Sequence, residues 1–328
     1  MIHQLTKTVF VQQVSAHQQA DSLGWSLFGA PSESDSIKIS HAVNFYRAGA
    51  LGEKTQLLTA NSMVDAVALS GEVQLLAVVH ENEKDAVPRS FEIAPPLRRT
   101  VAEVHKFTTA RPFPLLFDIL ASAAAGARPG SYLVFTNSDI CLVPSFYRTV
   151  RSILARGVDC VVINRRTVAP LESFGEAPEL AALEVGWAHP GFDCFVFPTA
   201  WVEDFDANAA CVGVGWVMRS LLYNLVVKAR RMVILRNAHL TYHYGDDRPW
   251  NAPGLEEYTQ HNLAETRVVV KALSEDPAKR AALDEFCAAH GEYGTEIFVT
   301  GGRKERRVTL SKIAKKIADW GGKRTKAR

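Results

Sequence analysis

Apolar positions along this chain follow two alternating rhythms. Met63, Val64, Val67 and Ala68 recur at helical spacing and Gly71 closes the run; Val73 to Val79 is then a continuous β-rich stretch that breaks into the polar loop His80 to Asp85. The spacing predicts a helix feeding a buried strand. The pattern repeats downstream. Phe113 to Ala125 reads as a helix stopped near Gly126 and Pro129, and Tyr132 to Phe135 as an apolar strand running into Thr136-Asn137-Ser138-Asp139. Pro144 then opens a helix whose face is Phe146, Val150, Ile153 and Leu154, Gly157 ends it, and Cys160 to Ile163 is the next strand. Helices alternating with short, wholly apolar strands predict a mostly parallel sheet covered on both faces.

The flanks are less regular. Lys7 to Ser15 has the composition of a strand, while Ala16 to Gly52 mixes turn formers with short apolar pieces. After Pro198 a helix is expected from about Trp216 to Arg230 and a strand at Met232 to Leu235, leading to His239-Leu240-Thr241-Tyr242-His243. Asp276 and Pro277 start a helix through Ala289, and Leu310, Ile313, Ile317 and Trp320 share a face of a last short helix. This divides the chain into an α/β domain over residues 1–255 and a helical C-terminal extension over 256–328.

Composition narrows the class. Of 328 residues 47% are hydrophobic and 22% charged, which suits a globular fold rather than a disordered or membrane-bundle chain. No stretch approaches the roughly 20 apolar residues that span a bilayer, and His3, Gln4 and Lys7 stand where a signal peptide needs an apolar core, so the cytoplasm is the expected compartment. Five cysteines without a C-x-x-C pair argue against a disulfide scaffold or thiolate zinc site. The net charge of +2 is unevenly spread: Arg303 to Arg328 holds 11 Lys/Arg against 2 Asp/Glu, and residues 1–302 hold 26 against 33. An acidic body with a basic tail is not a nucleic-acid-binding surface, and no nucleic acid partner is expected. The tail's lysines beside its apolar stripe suit the face of an anionic membrane, or equally a helix docked on the body.

In open α/β sheets ligands bind beyond the carboxyl ends of the strands, which singles out Asn137-Ser138-Asp139. A carboxylate and an amide oxygen there can hold Mg²⁺ or Mn²⁺ while diphosphate oxygens fill the other positions; otherwise the two residues cap the turn into the next helix. Asp193 enters an apolar strand, where a carboxylate must be paired or functional. His239 and His243 lack the adjacent glutamate of a zincin helix, and their neighbours favour an extended segment in which both share a face; one functional and one structural histidine is the expectation. Arg111 can pair with a phosphate and Asp118 can contact ribose hydroxyls, or both make surface salt bridges. Gly213-Val214-Gly215 has no third glycine for a dinucleotide loop, and neither a P-loop nor a G-x-S-x-G elbow occurs.

The run Tyr132-Leu-Val-Phe-Thr-Asn-Ser-Asp-Ile140 with Val143-Pro-Ser-Phe-Tyr147 resembles the region around the Asp-x-Asp motif of GT-A-fold glycosyltransferases, in a variant with Asn for the first Asp. Arg111 to Ile119, Gly191 to Phe197 and His239 to His243 agree in order and spacing, so the resemblance covers about residues 60 to 250. It implies a GT-A-like, mixed and mostly parallel sheet and transfer of a sugar from a nucleotide-sugar to a hydroxyl of a glycan or lipid-linked acceptor, as in surface polysaccharide synthesis at the inner face of a membrane. It further implies Asp139 as metal ligand, Asn137 on the ribose or metal, and His239 or His243 completing a Mn²⁺ or Mg²⁺ site. The chain departs from the pattern at Cys211 to Arg219, where many inverting members carry a basic carboxylate and this sequence has none; Asp193 is the acid left to act as base or to orient the acceptor. Two rivals stand beside this reading: a non-catalytic nucleotide-binding or scaffolding protein, and a peripheral module acting through residues 303–328.

Overall fold

A computed structural model describes residues 8–12, 36–189, 191–246 and 252–290. In chain order the strands are β1 (Thr8–Gln12), β2 (Ile39–Val43), β3 (Gln74–Ala77), β4 (Glu92–Ile93), β5 (Tyr132–Thr136) and β6 (Cys141–Leu142). They continue as β7 (Cys160–Ile163), β8 (Arg166–Val168), β9 (Trp187–Ala188), β10 (Cys194–Pro198), β11 (Arg231–Leu235) and β12 (Thr241–Tyr244). The helices are α1 (Ala50–Ala68), α2 (Val101–Val104), α3 (Leu116–Gly126), α4 (Phe146–Leu154), α5 (Val217–Lys228), α6 (Glu256–Ser274) and α7 (Pro277–His290).

Eight strands form one sheet in the order β1-β11-β7-β10-β5-β2-β3-β4, and β6-β12-β8-β9 form a smaller one. All neighbours in the large sheet are parallel except β10, which runs against both β5 and β7. Alternate strand residues serve opposite faces, as the pleat demands. Leu133 and Phe135 join a core completed by α3, α5, α6 and α7, while Val134 joins a second core completed by α1 and α4. The α/β architecture expected from the sequence, a mixed and mostly parallel sheet covered by helices on both faces, is the one observed. Val269, Val270, Leu283 and Phe286, all after residue 255, are buried in the first of these cores.

One central strand is not apparent from hydrophobic patterning. β2 reads Ile-Ser-His-Ala-Val and every residue is buried, so its polar groups must find partners inside the protein. Ser40 meets Gln74 Oε1 at 2.8 Å and Ser131 at 3.1 Å. His41 places Nδ1 2.7 Å from the Tyr147 hydroxyl and Nε2 2.9 Å from that of Thr136. This matched ring is neutral, and burial pushes its pKa down to about 3 from 6.5.

Between those pH values only the unfolded chain takes up the proton. Stability that is complete above pH 6.5 therefore falls as the pH drops towards 3, by about 1.4 kcal/mol per unit. Urea midpoints are expected to decline between pH 6.5 and 4.5 more steeply in the wild type than in His41→Gln; parallel profiles would contradict the neutral, buried assignment.

The basic tail expected to meet a membrane lies outside the described residues, and among the latter no helix is long and apolar enough to cross one.

Candidate active site

The site follows from the direction of the strands. β2, β5 and β7 end at one edge of the sheet and deliver Asn44 and Tyr46, Asn137 to Asp139, and Arg165 to it in turn. Because β10 is antiparallel, its start meets those ends: Cys194 stands opposite both Thr136 and Ile163. One residue earlier, Asp193 reaches the same edge. These residues line a cavity of about 630 Å³ together with Val212 to Arg219, which run from a loop into the first turn of α5.

Asp139 is positioned by the small sheet, where β6 pairs with β12 and brings His243 alongside. Its Oδ2 lies 3.3 Å from His243 Nε2, and His243 Nδ1 is 3.0 Å from the Gly245 carbonyl, to which it donates. A ring that donates at Nδ1 and faces a carboxylate at Nε2 is satisfied as the imidazolium. Burial works to raise the Asp139 pKa, but the hydrogen bond and charge of His243, with Arg165 beyond, outweigh it and hold the carboxyl below its ordinary range. Burial likewise works to lower His243, and Asp139 turns the balance upward. Nearby, burial and the Asp139 charge raise the Tyr46 phenol.

Two oxygens here are buried and make no hydrogen bond: Oδ1 of Asp139 and Oδ1 of Asn137. Both belong to residues lining the cavity. Each acceptor forfeits its bond to water without replacement, a cost that native proteins rarely leave unexplained. An anionic and a neutral oxygen two residues apart make a donor pair suited to a hard divalent cation.

Asp193 lies beside one cation, Arg165, and the imidazole of His189. Its Oδ1 is 3.5 Å from Arg165 Nη1, its Oδ2 is 3.5 Å from His189 Nδ1, and Oδ2 accepts no hydrogen bond. His189 Nδ1 itself accepts the Gly191 N–H at 3.0 Å. Arg165, whose side chain is only 2% exposed, approaches Asp193 and acts by its charge on Asp139 as well.

The other residues singled out in the sequence divide. Arg111 lines the cavity. Asp118, in the first turn of α3, does not: Arg99 binds it with two hydrogen bonds of 2.7 and 2.9 Å, so the ribose contact is replaced by a surface ion pair. His239 also stays off the cavity wall. It sits in the turn before β12 rather than in the strand, so it does not share a face with His243, and burial and the nearby Arg166 charge lower its pKa. Among the described residues no three His, Cys, Asp or Glu side chains converge as metal ligands; of the candidates Asp139, His239 and His243, the first and last meet and His239 stays apart.

Sequence reading did not single out Arg165, Tyr46, Trp216 or Arg219, all of which line the cavity. Arg165 had a usable signal, since Asn164-Arg165-Arg166 follows an apolar strand as Asn137 to Asp139 does. Tyr46 had none, because the strand before it was not recognised.

No family model and no curated protein matches the sequence. Several solved structures are similar in shape. The glucosyl-3-phosphoglycerate synthase of Mycobacterium tuberculosis, solved with phosphoglyceric acid, is 16% identical over 82% of this chain and 87% of that one, with a TM-score of 0.42. A mannosyltransferase of Pyrobaculum calidifontis, solved with GDP-Man and Mn²⁺, is 12% identical over 84% and 83%, with a TM-score of 0.41. The 4-diphosphocytidyl-2C-methyl-D-erythritol synthase of Anaerococcus prevotii is 11% identical over 70% and 98%, with a TM-score of 0.37. At such scores the likeness is one of coarse shape, and chemistry must come from the residues of this chain.

Proposed function

We propose that the protein is a divalent-metal-dependent glycosyltransferase that moves a sugar from a nucleotide-sugar donor to a hydroxyl acceptor, such as one on a glycan or a lipid-linked carrier. One observation carries the reading: the unsatisfied, buried oxygens of Asn137 and Asp139 at the ligand-binding edge of the sheet. Mg²⁺ and Mn²⁺ are commonly held by one or two such oxygens, with substrate phosphates and water completing the shell, so these residues fit the cation. When bound, it supplies a Lewis acid that offsets the charge of the departing diphosphate.

The remaining roles belong to the chain. His243 fixes the orientation of the Asp139 carboxylate through Oδ2 and leaves Oδ1 for the ligand. Asp193, anchored at Oδ1 by Arg165, has Oδ2 available to accept the acceptor hydroxyl. As that oxygen bonds to the sugar and the sugar–phosphate bond breaks, the hydroxyl proton passes to Asp193.

The test is a thermal-shift and calorimetric titration with nucleoside diphosphates, with and without Mn²⁺, followed by a donor-hydrolysis assay. A ligand at about 100 times its Kd should add about 2.7 kcal/mol of stability. The expected result is stabilisation by a nucleoside diphosphate only when Mn²⁺ is present, together with donor turnover. No response to any nucleotide would overturn the reading. Binding without turnover would favour a non-catalytic nucleotide-binding protein, a reading supported by the lack of any carboxylate from Cys211 to Arg219.

A further inference from the structure

Twelve large apolar side chains stand exposed among the described residues, and four of them, Leu180, Leu183, Val185 and Trp187, fall within eight positions. The other eight are at least five residues apart. Scattered exposed apolar residues are ordinary, whereas a concentration of them marks a surface that something covers. Leu180 and Leu183 belong to a 3₁₀ helix, Pro178–Leu183, whose three-residue period puts both on one side. Trp187 lies on β9, the outer strand of the small sheet, and an apolar outer strand invites a partner.

The segment that carries these side chains is held firmly. Arg166 donates to the Val185 and Gly186 carbonyls at 2.7 and 2.6 Å, and the Glu184 carboxylate accepts the Ala169 N–H at 3.2 Å. Gly186 has φ 55°, and a Cβ there would overlap the Thr167 carbonyl, so only glycine permits this approach to β8. The Tyr244 hydroxyl donates to the Pro178 carbonyl at 2.8 Å.

Charge decides what the surface receives. Residues 169–188 hold four glutamates and no lysine or arginine. Glu172, Glu176 and Glu179 are exposed, and none of the three pairs with a cation among the described residues. An anionic membrane would be repelled, and a second copy meeting this face with its own would set glutamates against glutamates. A cationic amphipathic segment meets both demands, and the chain carries one. Leu310, Ile313, Ile317 and Trp320 share a side at helical spacing amid the 11 lysines and arginines of residues 303–328.

Its reach suffices. His290, the last described residue, has Nδ1 2.9 Å from Arg236 Nη2, and the Arg236 guanidinium lies 5.2 Å from the ring centroid of Phe192, five residues after Trp187. The 19 residues between His290 and Leu310 span up to about 65 Å when extended.

We propose that residues 310–320 dock on the surface formed by Leu180, Leu183, Val185 and Trp187 of the same chain, drawn there by Glu172, Glu176 and Glu179. The proposal is independent of the glycosyl-transfer reading. Because Trp187 stands two residues before His189, which lines the cavity, the docked segment comes to rest beside the site.

Hydrogen exchange on the full chain, read by mass spectrometry on peptides covering 180–188 and 308–320, tests this. Ile313→Asp with Ile317→Asp should speed exchange in 180–188 about tenfold or more, and Leu183→Asp with Trp187→Asp should do the same to 308–320, since each pair removes the burial of two large apolar side chains. Glu176→Lys with Glu179→Lys should loosen both peptides, and adding Lys315→Glu with Lys316→Glu should restore their protection, a rescue that local misfolding would not give. Exchange in 180–188 that ignores the tail substitutions, or a charge reversal that rescues nothing, overturns the proposal. Protection that rises with protein concentration would assign the surface to a second copy, and protection that needs phosphatidylglycerol vesicles would assign it to a lipid; either result also overturns it.

Discussion

Asp139→Ala should abolish Mn²⁺-dependent nucleotide binding and lower donor turnover by about 10²–10³-fold or more, the scale seen when one preorganised charge-stabilising group is lost. Asn137 alone would then offer the cation a single neutral oxygen. The substitution also takes away the partner that keeps His243 protonated, so the ring reverts to the neutral state that its burial favours. The Asp139 side chain is 36% exposed at the cavity, so the fold should survive with a nearly unchanged melting curve. Asp139→Asn is the sharper comparison, because it keeps the shape and removes only the charge. Calorimetry with and without Mn²⁺, set beside a circular-dichroism melt, reads both effects; a variant that still binds nucleotide in a Mn²⁺-dependent manner would exclude Asp139 as ligand.

Arg165→Met is expected to cost about 3–5 kcal/mol of stability, the usual penalty for removing one partner of a buried ion pair. Arg165 is fully enclosed, and its guanidinium acts on both cavity carboxylates, 3.5 Å from Asp193 and by charge on Asp139. Without it Asp193 would remain in a low-dielectric pocket with only His189 beside it. Adding Asp193→Asn to Arg165→Met should recover a good part of the loss, since the stranded charge is then gone. Urea denaturation of the single and double variants measures this directly. Equal destabilisation in both would mean that Arg165 matters for packing rather than for charge.

Hydrophobic rhythm exposed the strands whose polar residues stand only at their ends. β3, β5, β7 and β11 were all visible, because Gln74, Thr136 and Arg231 are terminal and no polar residue interrupts the runs between. β2 was hidden for the opposite reason: Ser40 and His41 are tolerated in its centre by partners at Gln74, Ser131, Thr136 and Tyr147, distant in sequence. The same contrast governs the site. Asn137, Asp139 and Asp193 could be found because each adjoins an apolar run. Asp118 looked equally eligible, but Arg99, nineteen residues earlier, claims it. Trp216 has φ 72°, and no pattern of residue types announces a left-handed tryptophan.

Asn262 is not among the residues that line the cavity and is wholly enclosed within α6, yet one amide group grips the backbone at Cys211 and again at Gly215. The loop from Cys211 to Gly215 is thus less a free connection than an outgrowth of that helix. Any change in how α6 seats against α5 is carried into the shape of the cavity, and a shortened side chain at 262 would alter selectivity from outside its lining.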